Sequence, residues 1–186
     1  MFSDSPFPAA HSRCLVKLTR GWITLFDGSN LDNWNTIGNA NWRLVDGAVQ
    51  ADKGNGHLVS KNSYTDFQIR AEFWVDSDAN SGIFIRCTDP QKIGSATAYE
   101  VNIYDKRPDP TYGTGAIVNV AKASPMLKAG GQWNTLEITA KGPQLSATLN
   151  GTSTADDQDS KYASGPISLQ YGAGVVKFRK VQIKPL

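Results

Sequence analysis

Side-chain polarity alternates with a period of two along most of the chain from Trp22 onward. Apolar residues take every second position in the stretches 69–75, 99–103 and 167–169. Successive side chains of a β-strand point to opposite faces, so this alternation predicts half-buried strands rather than helices. No segment carries a helical apolar stripe longer than a turn or two. The chain is therefore predicted to be all-β.

Turn signals divide the alternating stretches into short strands. Asp46-Gly47 separates residues 42–45 from 48–51, and Asn150-Gly151 closes another strand. Asp-Gly and Asn-Gly pairs are typical of two-residue hairpin turns. Many short strands with regular turns favour a two-sheet sandwich, a jelly roll or a barrel. The length of 186 residues suits one such domain, predicted to span 21–186 behind a flexible tail at 1–20.

Charge and cysteine content exclude several classes of protein. The 19 basic and 17 acidic residues nearly balance, so no nucleic-acid footprint is expected. No apolar run reaches the length of a membrane-spanning helix. Cys14 and Cys87 fit no metal-binding spacing. Cys87 is expected to be a buried thiol, with a disulfide to the N-terminal segment as the alternative.

Strand parity picks out a polar set of side chains. In each predicted strand the apolar partners would face the core, and the residues between them would face outward. If the strands share one sheet, its outer face presents Glu72, Trp74, Arg86, Glu100, Asn102 and Gln170. Carboxylates and amides can bind sugar hydroxyls, and an aromatic ring can stack on the C–H face of a sugar. The alternative is an ordinary solvated face with Arg–Glu pairs across strands.

Three further positions are weaker candidates. Asn80 opens a tight Asn-Ser-Gly connection that could direct backbone N–H groups at a ligand. Asp105 ends a predicted strand and could contact substrate, bind a metal or cap a loop. His57 lies between glycine-rich turns and is interpreted as a structural histidine rather than an acid or base.

Several segments, in this order, resemble the 3-keto-disaccharide hydrolase domain family. The matching segments include WITLFDG at 22–28, NSGIFIR at 80–86, YEVNI at 99–103, GPISLQ at 165–170 and VKFR at 176–179. The resemblance covers about residues 22–186. It implies a two-sheet antiparallel jelly roll of the concanavalin type.

The resemblance also implies a chemistry, the cleavage of glycosides that are oxidised at C3 of the sugar. Such a site needs a base, for which Glu100 or Glu72 is the candidate. It also needs a group that stabilises an enolate, either Arg86 or a divalent metal held by carboxylates. Asn102 and Gln170 would bind hydroxyls.

Two other functions stay open at this point. One is a non-catalytic carbohydrate-binding module, favoured by Tyr171 at a position where many relatives have His. The other is a structural sandwich without a small-molecule site. Relatives are commonly exported to the periplasm or the medium, but residues 1–20 show no apolar run typical of a signal peptide.

Overall fold

The computed structural model describes residues 21–186. The predicted tail at 1–20, with Cys14 and its possible disulfide, lies outside the described residues. Thirteen strands form two antiparallel sheets, and the one short helix in this range is a 3-10 turn at Pro110–Tyr112. No helix in the described part of the chain is long and apolar enough to cross a membrane.

The larger sheet has eight strands. They are β1 (Ile23–Phe26), β3 (Arg43–Val45), β4 (Ala48–Ala51), β6 (Phe67–Val75), β9 (Trp133–Lys141), β10 (Gln144–Leu149), β11 (Thr152–Gln158) and β13 (Val176–Pro185). Their spatial order is β11-β10-β9-β6-β13-β4-β3, and β1 pairs with the second half of β13.

The smaller sheet has five strands. They are β2 (Trp34–Gly38), β5 (Gly56–Tyr64), β7 (Ser81–Ile85), β8 (Tyr99–Ile103) and β12 (Gly165–Tyr171). Their order is β2-β5-β12-β7-β8. Every ladder in both sheets is antiparallel, which confirms the predicted two-sheet sandwich.

The core lies between the two sheets and follows the predicted parity. Strand β6 alternates buried and half-buried residues along its full length. Its buried side chains share one cluster with Ile83 of β7, Val101 of β8 and Leu169 of β12. Each fully buried side chain of this size contributes about 1.5–3 kcal/mol to folding.

The predicted hairpin at Asp46-Gly47 joins β3 to β4. Both turn residues have positive φ, 49° and 75°, as a type I′ turn requires. Cys87 is buried as expected, but in a small second cluster with Phe84 and Ala98 outside the main core. Burial raises the pKa of its thiol to about 12, so the thiol is unreactive at neutral pH.

Candidate functional site

The sandwich separates the predicted site residues between two opposite surfaces. Glu72 and Trp74 lie on β6 of the eight-stranded sheet, whereas Glu100 and Asn102 lie on β8 of the five-stranded sheet. The outer faces of the two sheets point away from each other, with the core between them. The expectation that one face presents all these residues is therefore wrong for Glu72 and Trp74.

Glu72 and Trp74 instead belong to a network of surface contacts. The Glu72 carboxylate accepts a hydrogen bond from Arg179 Nε at 2.7 Å and lies 3.5 Å from Lys180 Nζ. The Trp74 ring lies under Lys177 Nζ at 4.7 Å. These cross-strand pairs satisfy both side chains and give Glu72 no path to a ligand on the other sheet.

Arg86 does not reach the outer face either. Strand β7 ends one residue before it, and Arg86 takes a φ of 53°, which breaks the alternation on which the prediction rested. Its side chain is 2% exposed. The guanidinium donates to the backbone carbonyls of Thr65, Gly142 and Tyr162 and pairs with Asp66. Arg86 thus joins three loops and cannot stabilise an enolate.

Asp105 organises a loop. Its carboxylate accepts hydrogen bonds from Thr114 Oγ1 at 2.6 Å, from the backbone N–H of Ala129 at 3.0 Å and from that of Gly130 at 2.9 Å. Both oxygens are occupied by these donors. The capping interpretation is therefore correct, and the structure gives no support to substrate contact or metal binding by Asp105.

The remaining predicted residues share the outer face of the five-stranded sheet. On β7 and β8 the register pairs Gly82 with Asn102 and Phe84 with Glu100. On β12 and β5 it pairs Gln170 with His57. We refer to six residues of this surface as the Glu100 face: His57, Asn80, Gly82, Glu100, Asn102 and Gln170.

Asn80 lies at one end of this face. It bridges to Ala173 just before β7 begins. Its side chain lies over Gly172, because a Cβ added at that glycine would be 3.2 Å from Asn80 Nδ2. Asn80 therefore contributes its side-chain amide, rather than only the backbone N–H groups that the sequence suggested.

Gly82 lies beneath the Glu100 carboxylate. A Cβ added at Gly82 would be 3.5 Å from both Cγ and Oε1 of Glu100 and 3.1 Å from the carbonyl oxygen of Val101. The Glu100 side chain therefore lies over the β7 backbone at Gly82. This glycine, which sequence reasoning treated as part of a connection, forms the floor of the site.

Glu100 is the only acidic residue among the sequences of these five strands. Burial raises the pKa of its carboxyl, and the positive charge of Arg107 partly offsets this increase. A carboxylate whose pKa is raised by partial desolvation is a stronger base than a solvated one. Arg107 follows β8 in the proline-rich loop and was not identified from the sequence.

Two amide oxygens on the Glu100 face have no protein partner. Asn102 Nδ2 donates to the carbonyl of Tyr112 at 2.7 Å, but Asn102 Oδ1 is buried and unbonded. Gln170 Oε1 is also buried without a partner, although the rest of this side chain reaches the surface. Buried polar atoms almost always have a hydrogen-bond partner. Gln170 is half-buried, so its free oxygen is a candidate acceptor for a hydroxyl group. Asn102 is 0% exposed, so the structure does not support the prediction that it binds a ligand on the outer face.

His57 is the structural histidine that the sequence predicted. Its Nδ1 lies 2.9 Å from Ser168 Oγ, and its ring packs edge-on against Phe84. Burial lowers the pKa of His57 to about 4, which keeps the imidazole neutral at pH 7. The ring is held in place beside Gln170 and is a hydrogen-bonding group rather than a proton donor.

A metal held by carboxylates does not fit these residues. Among residues 21–186, no group of three or more His, Cys, Asp or Glu side chains is placed to hold a metal ion. Glu72 and Glu100, the carboxylates considered from the sequence, lie on different sheets.

The fold and the polar sheet face define the chain as a jelly-roll β-sandwich of the kind found in carbohydrate-binding proteins. The carbohydrate-binding module CBM66 from Bacillus subtilis has the same fold, with a TM-score of 0.66 at 17% identity over 82% of this chain and 95% of that one. A protein of Parabacteroides distasonis, proposed to be a glycosyl hydrolase, superposes with a TM-score of 0.81 at 19% identity, over 89% of this chain and 94% of that one.

The chain belongs to the 3-keto-alpha-glucoside-1,2-lyase-like domain family, whose model matches residues 21–184. This confirms the resemblance seen in the sequence. A 3-keto-disaccharide hydrolase of Bacteroides thetaiotaomicron is 27% identical over 150 residues. That match covers 63% of this chain and 52% of the relative, so the chain spans about half the length of the curated relative.

Proposed function

We propose that the chain is a carbohydrate-active enzyme of hydrolase or lyase type that cleaves glycosides oxidised at C3, with the Glu100 face as its active site. The observation that carries the proposal is Glu100. It is the one acid of its sheet, its pKa is raised by burial, and it lies over a glycine floor. The family description and the name of the curated relative point to the same substrate class.

The reaction begins with a proton transfer. The C3 ketone acidifies the C2–H bond, and the Glu100 carboxylate takes that proton. The electron pair of the C–H bond forms an enolate, which then expels the oxygen substituent on C1. Glu100, now protonated, is the acid available to the departing oxygen. Water then adds to C1 of the resulting enone for net hydrolysis; without this addition the product is the unsaturated lyase product.

The negative charge of the enolate needs a nearby cation or hydrogen-bond donors. The positive charge of Arg107 lowers the pKa of Glu100, and Arg107 is the cation that we propose for this role. It takes the role first considered for Arg86, whose donors are all occupied. Gln170 contributes an acceptor for a ring hydroxyl.

A C2-deuterated substrate tests this mechanism. The protein is incubated with a 3-keto disaccharide, its C2-deuterated form and the unoxidised parent sugar, each with and without a chelator. We expect monosaccharide release only from the oxidised sugars, slowed by deuterium at C2. Release from the parent sugar, or equal rates for the two isotopologues when chemistry limits turnover, would contradict proton abstraction at C2.

The second candidate function is a non-catalytic carbohydrate-binding module. It is favoured by the unpartnered oxygen of the half-buried Gln170, which suits recognition as well as catalysis. Sugar binding without product release in the same experiment, unchanged by the chelator, would favour the module over the enzyme.

A further inference from the structure

A cavity lies on the same sheet as the Glu100 face, beside that face. Its volume is about 590 Å³, and it lies over β2 and β5, bounded by residues 87–91 and 164–166. This is within the ~300–1,000 Å³ typical of small-molecule sites. The functional site as described so far does not include it.

The register connects this cavity to the Glu100 face. Gln170 pairs with His57, and His57 pairs with Ile37, which lines the cavity. In the next row Ser168 pairs with Val59, another lining residue. Because neighbouring strands lie about 4.8 Å apart, Ile37 is only ~10 Å from Gln170 across the sheet. A ligand longer than one sugar ring can occupy both places.

The wall of the cavity is fixed by backbone hydrogen bonds. The Cys87 N–H donates to the Pro166 carbonyl at 3.1 Å, and the Thr88 N–H donates to the Thr97 carbonyl at 2.8 Å. These bonds tie the 87–91 segment to β12 and to the turn at Thr97. The cavity is therefore already formed without a ligand.

The geometry points to a subsite for the leaving group, one that binds the C1 substituent of the substrate as a hydroxyl-rich group, namely a second sugar. This inference rests on the proposed function, since it assigns the other half of that substrate. The floor is aliphatic, from Ile37 and Val59, and suits the C–H face of a sugar ring. The walls carry the exposed polar side chains of Asn35, Lys61 and Gln91.

The lining also excludes other leaving groups. Among the described residues that line the cavity, none is aromatic and none is acidic. An aryl group would find no ring to stack on, and an amine would find no carboxylate. Lys61 has no ion-pair partner within residues 21–186, so its three N–H donors are available to hydroxyl oxygens.

Substitutions that fill the cavity, or that remove a hydrogen-bond donor from its wall, test the inference. Asn35→Trp would fill it, and Thr36→Trp is the matched control because Thr36 is exposed on the same strand and does not line the cavity. Lys61→Ala removes the ammonium donor, with Lys141→Ala on the other sheet as control. Each protein is assayed with a 3-keto disaccharide and with the methyl 3-keto glucoside, which has no second sugar.

We expect Asn35→Trp and Lys61→Ala to lower kcat/KM for the disaccharide at least tenfold and to change it less than twofold for the methyl glucoside. The two controls should leave both values unchanged. Equal losses on both substrates, or no loss on the disaccharide, would overturn the assignment.

A failure of the proposed function gives a different result, since the wild-type protein would then turn over neither substrate. In that case calorimetric titration with the unoxidised disaccharide and with its methyl monosaccharide decides the question. Tighter binding of the disaccharide that is lost in Asn35→Trp supports the subsite. Equal binding of both sugars, or no binding of either, contradicts it.

Discussion

Replacing Arg86 separates a structural from a chemical role for this residue. In Arg86→Met the carbonyl oxygens of Thr65, Gly142 and Tyr162 lose their donor; the bond to Tyr162 is buried and the other two are partly buried. Each unsatisfied buried acceptor costs about 1–3 kcal/mol. Because Asp66 is 38% exposed, its pair with Arg86 adds little, and we expect the lost charge-assisted hydrogen bonds to cost about 3–5 kcal/mol together.

The free energy of unfolding from urea denaturation measures this loss. In a domain of this size each kcal/mol lowers Tm by about 2–4 °C, so the expected shift is ~6–20 °C. The control is Arg70→Met. Arg70 pairs with Glu137 at the surface, so its replacement should lower the free energy of unfolding by about 1 kcal/mol or less.

Activity is measured at a temperature where both variants are folded. We expect turnover per folded molecule of Arg86→Met to stay close to that of the wild type. A variant that keeps its full stability but loses turnover would refute the reasoning and indicate that Arg86 takes part in the reaction.

Three further predictions concern the Glu100 face. In Gly82→Ala the new methyl group would be 3.1 Å from the Val101 carbonyl oxygen, so β8 must shift slightly and Glu100 moves with it. We expect kcat/KM to fall by up to about 100-fold. Gly94→Ala, with open space at its Cβ, is the control, and equal activity of the two variants would speak against the glycine floor. Arg107→Gln removes the charge that lowers the pKa of Glu100, so the acidic limb of the pH–rate profile should move to higher pH, and an unmoved limb would exclude this coupling. The pKa of His57 is about 4 in the folded protein and 6.5 as a free side chain, so the unfolded state binds more protons between these pH values and the free energy of unfolding should fall as pH decreases from 6.5 to 4. Urea titrations of His57→Gln should show a smaller fall. An identical pH dependence of the variant and the wild type would contradict the burial of a neutral imidazole.

The local pattern of the sequence was sufficient to predict the strands. Alternation predicted the buried and half-buried positions of β6, and Asp46-Gly47 predicted the β3–β4 hairpin. On β8 it predicted the buried Val101 and Ile103, but Asn102 between them is buried too. These features depend on neighbouring residues and on the twofold period of a strand, which the sequence displays directly.

The assignment of strands to sheets could not be predicted in the same way. Parity tells which side of its own strand Glu72 faces, but which sheet holds β6 depends on pairings with β9 and β13, which are distant in the chain. The same parity argument was correct for Glu100 because β7 and β8 pair with each other.

Other residues of the site gave a weak signal or a misleading one. Arg86 fitted the alternation of its strand until the backbone turned at φ 53°. His57 and Arg107 lie in or next to loops, where no period reveals the direction of a side chain. Only the pairing of β5 with β12 brings His57 beside Gln170.

The central claim is that Glu100 performs the proton transfer, and Glu100→Gln tests it most directly when turnover and stability are measured on the same protein. Burial raises the pKa of Glu100 in the folded protein. At a pH above the ordinary pKa of a glutamate, the ionised carboxylate therefore lowers the free energy of unfolding. The neutral amide of similar shape should remove that cost. Glu72→Gln is the matched control on the other sheet.

The account predicts that Glu100→Gln loses turnover of the 3-keto disaccharide and unfolds at a higher urea concentration than the wild type at pH 7. Glu72→Gln should keep its turnover. Full turnover by Glu100→Gln would contradict the account.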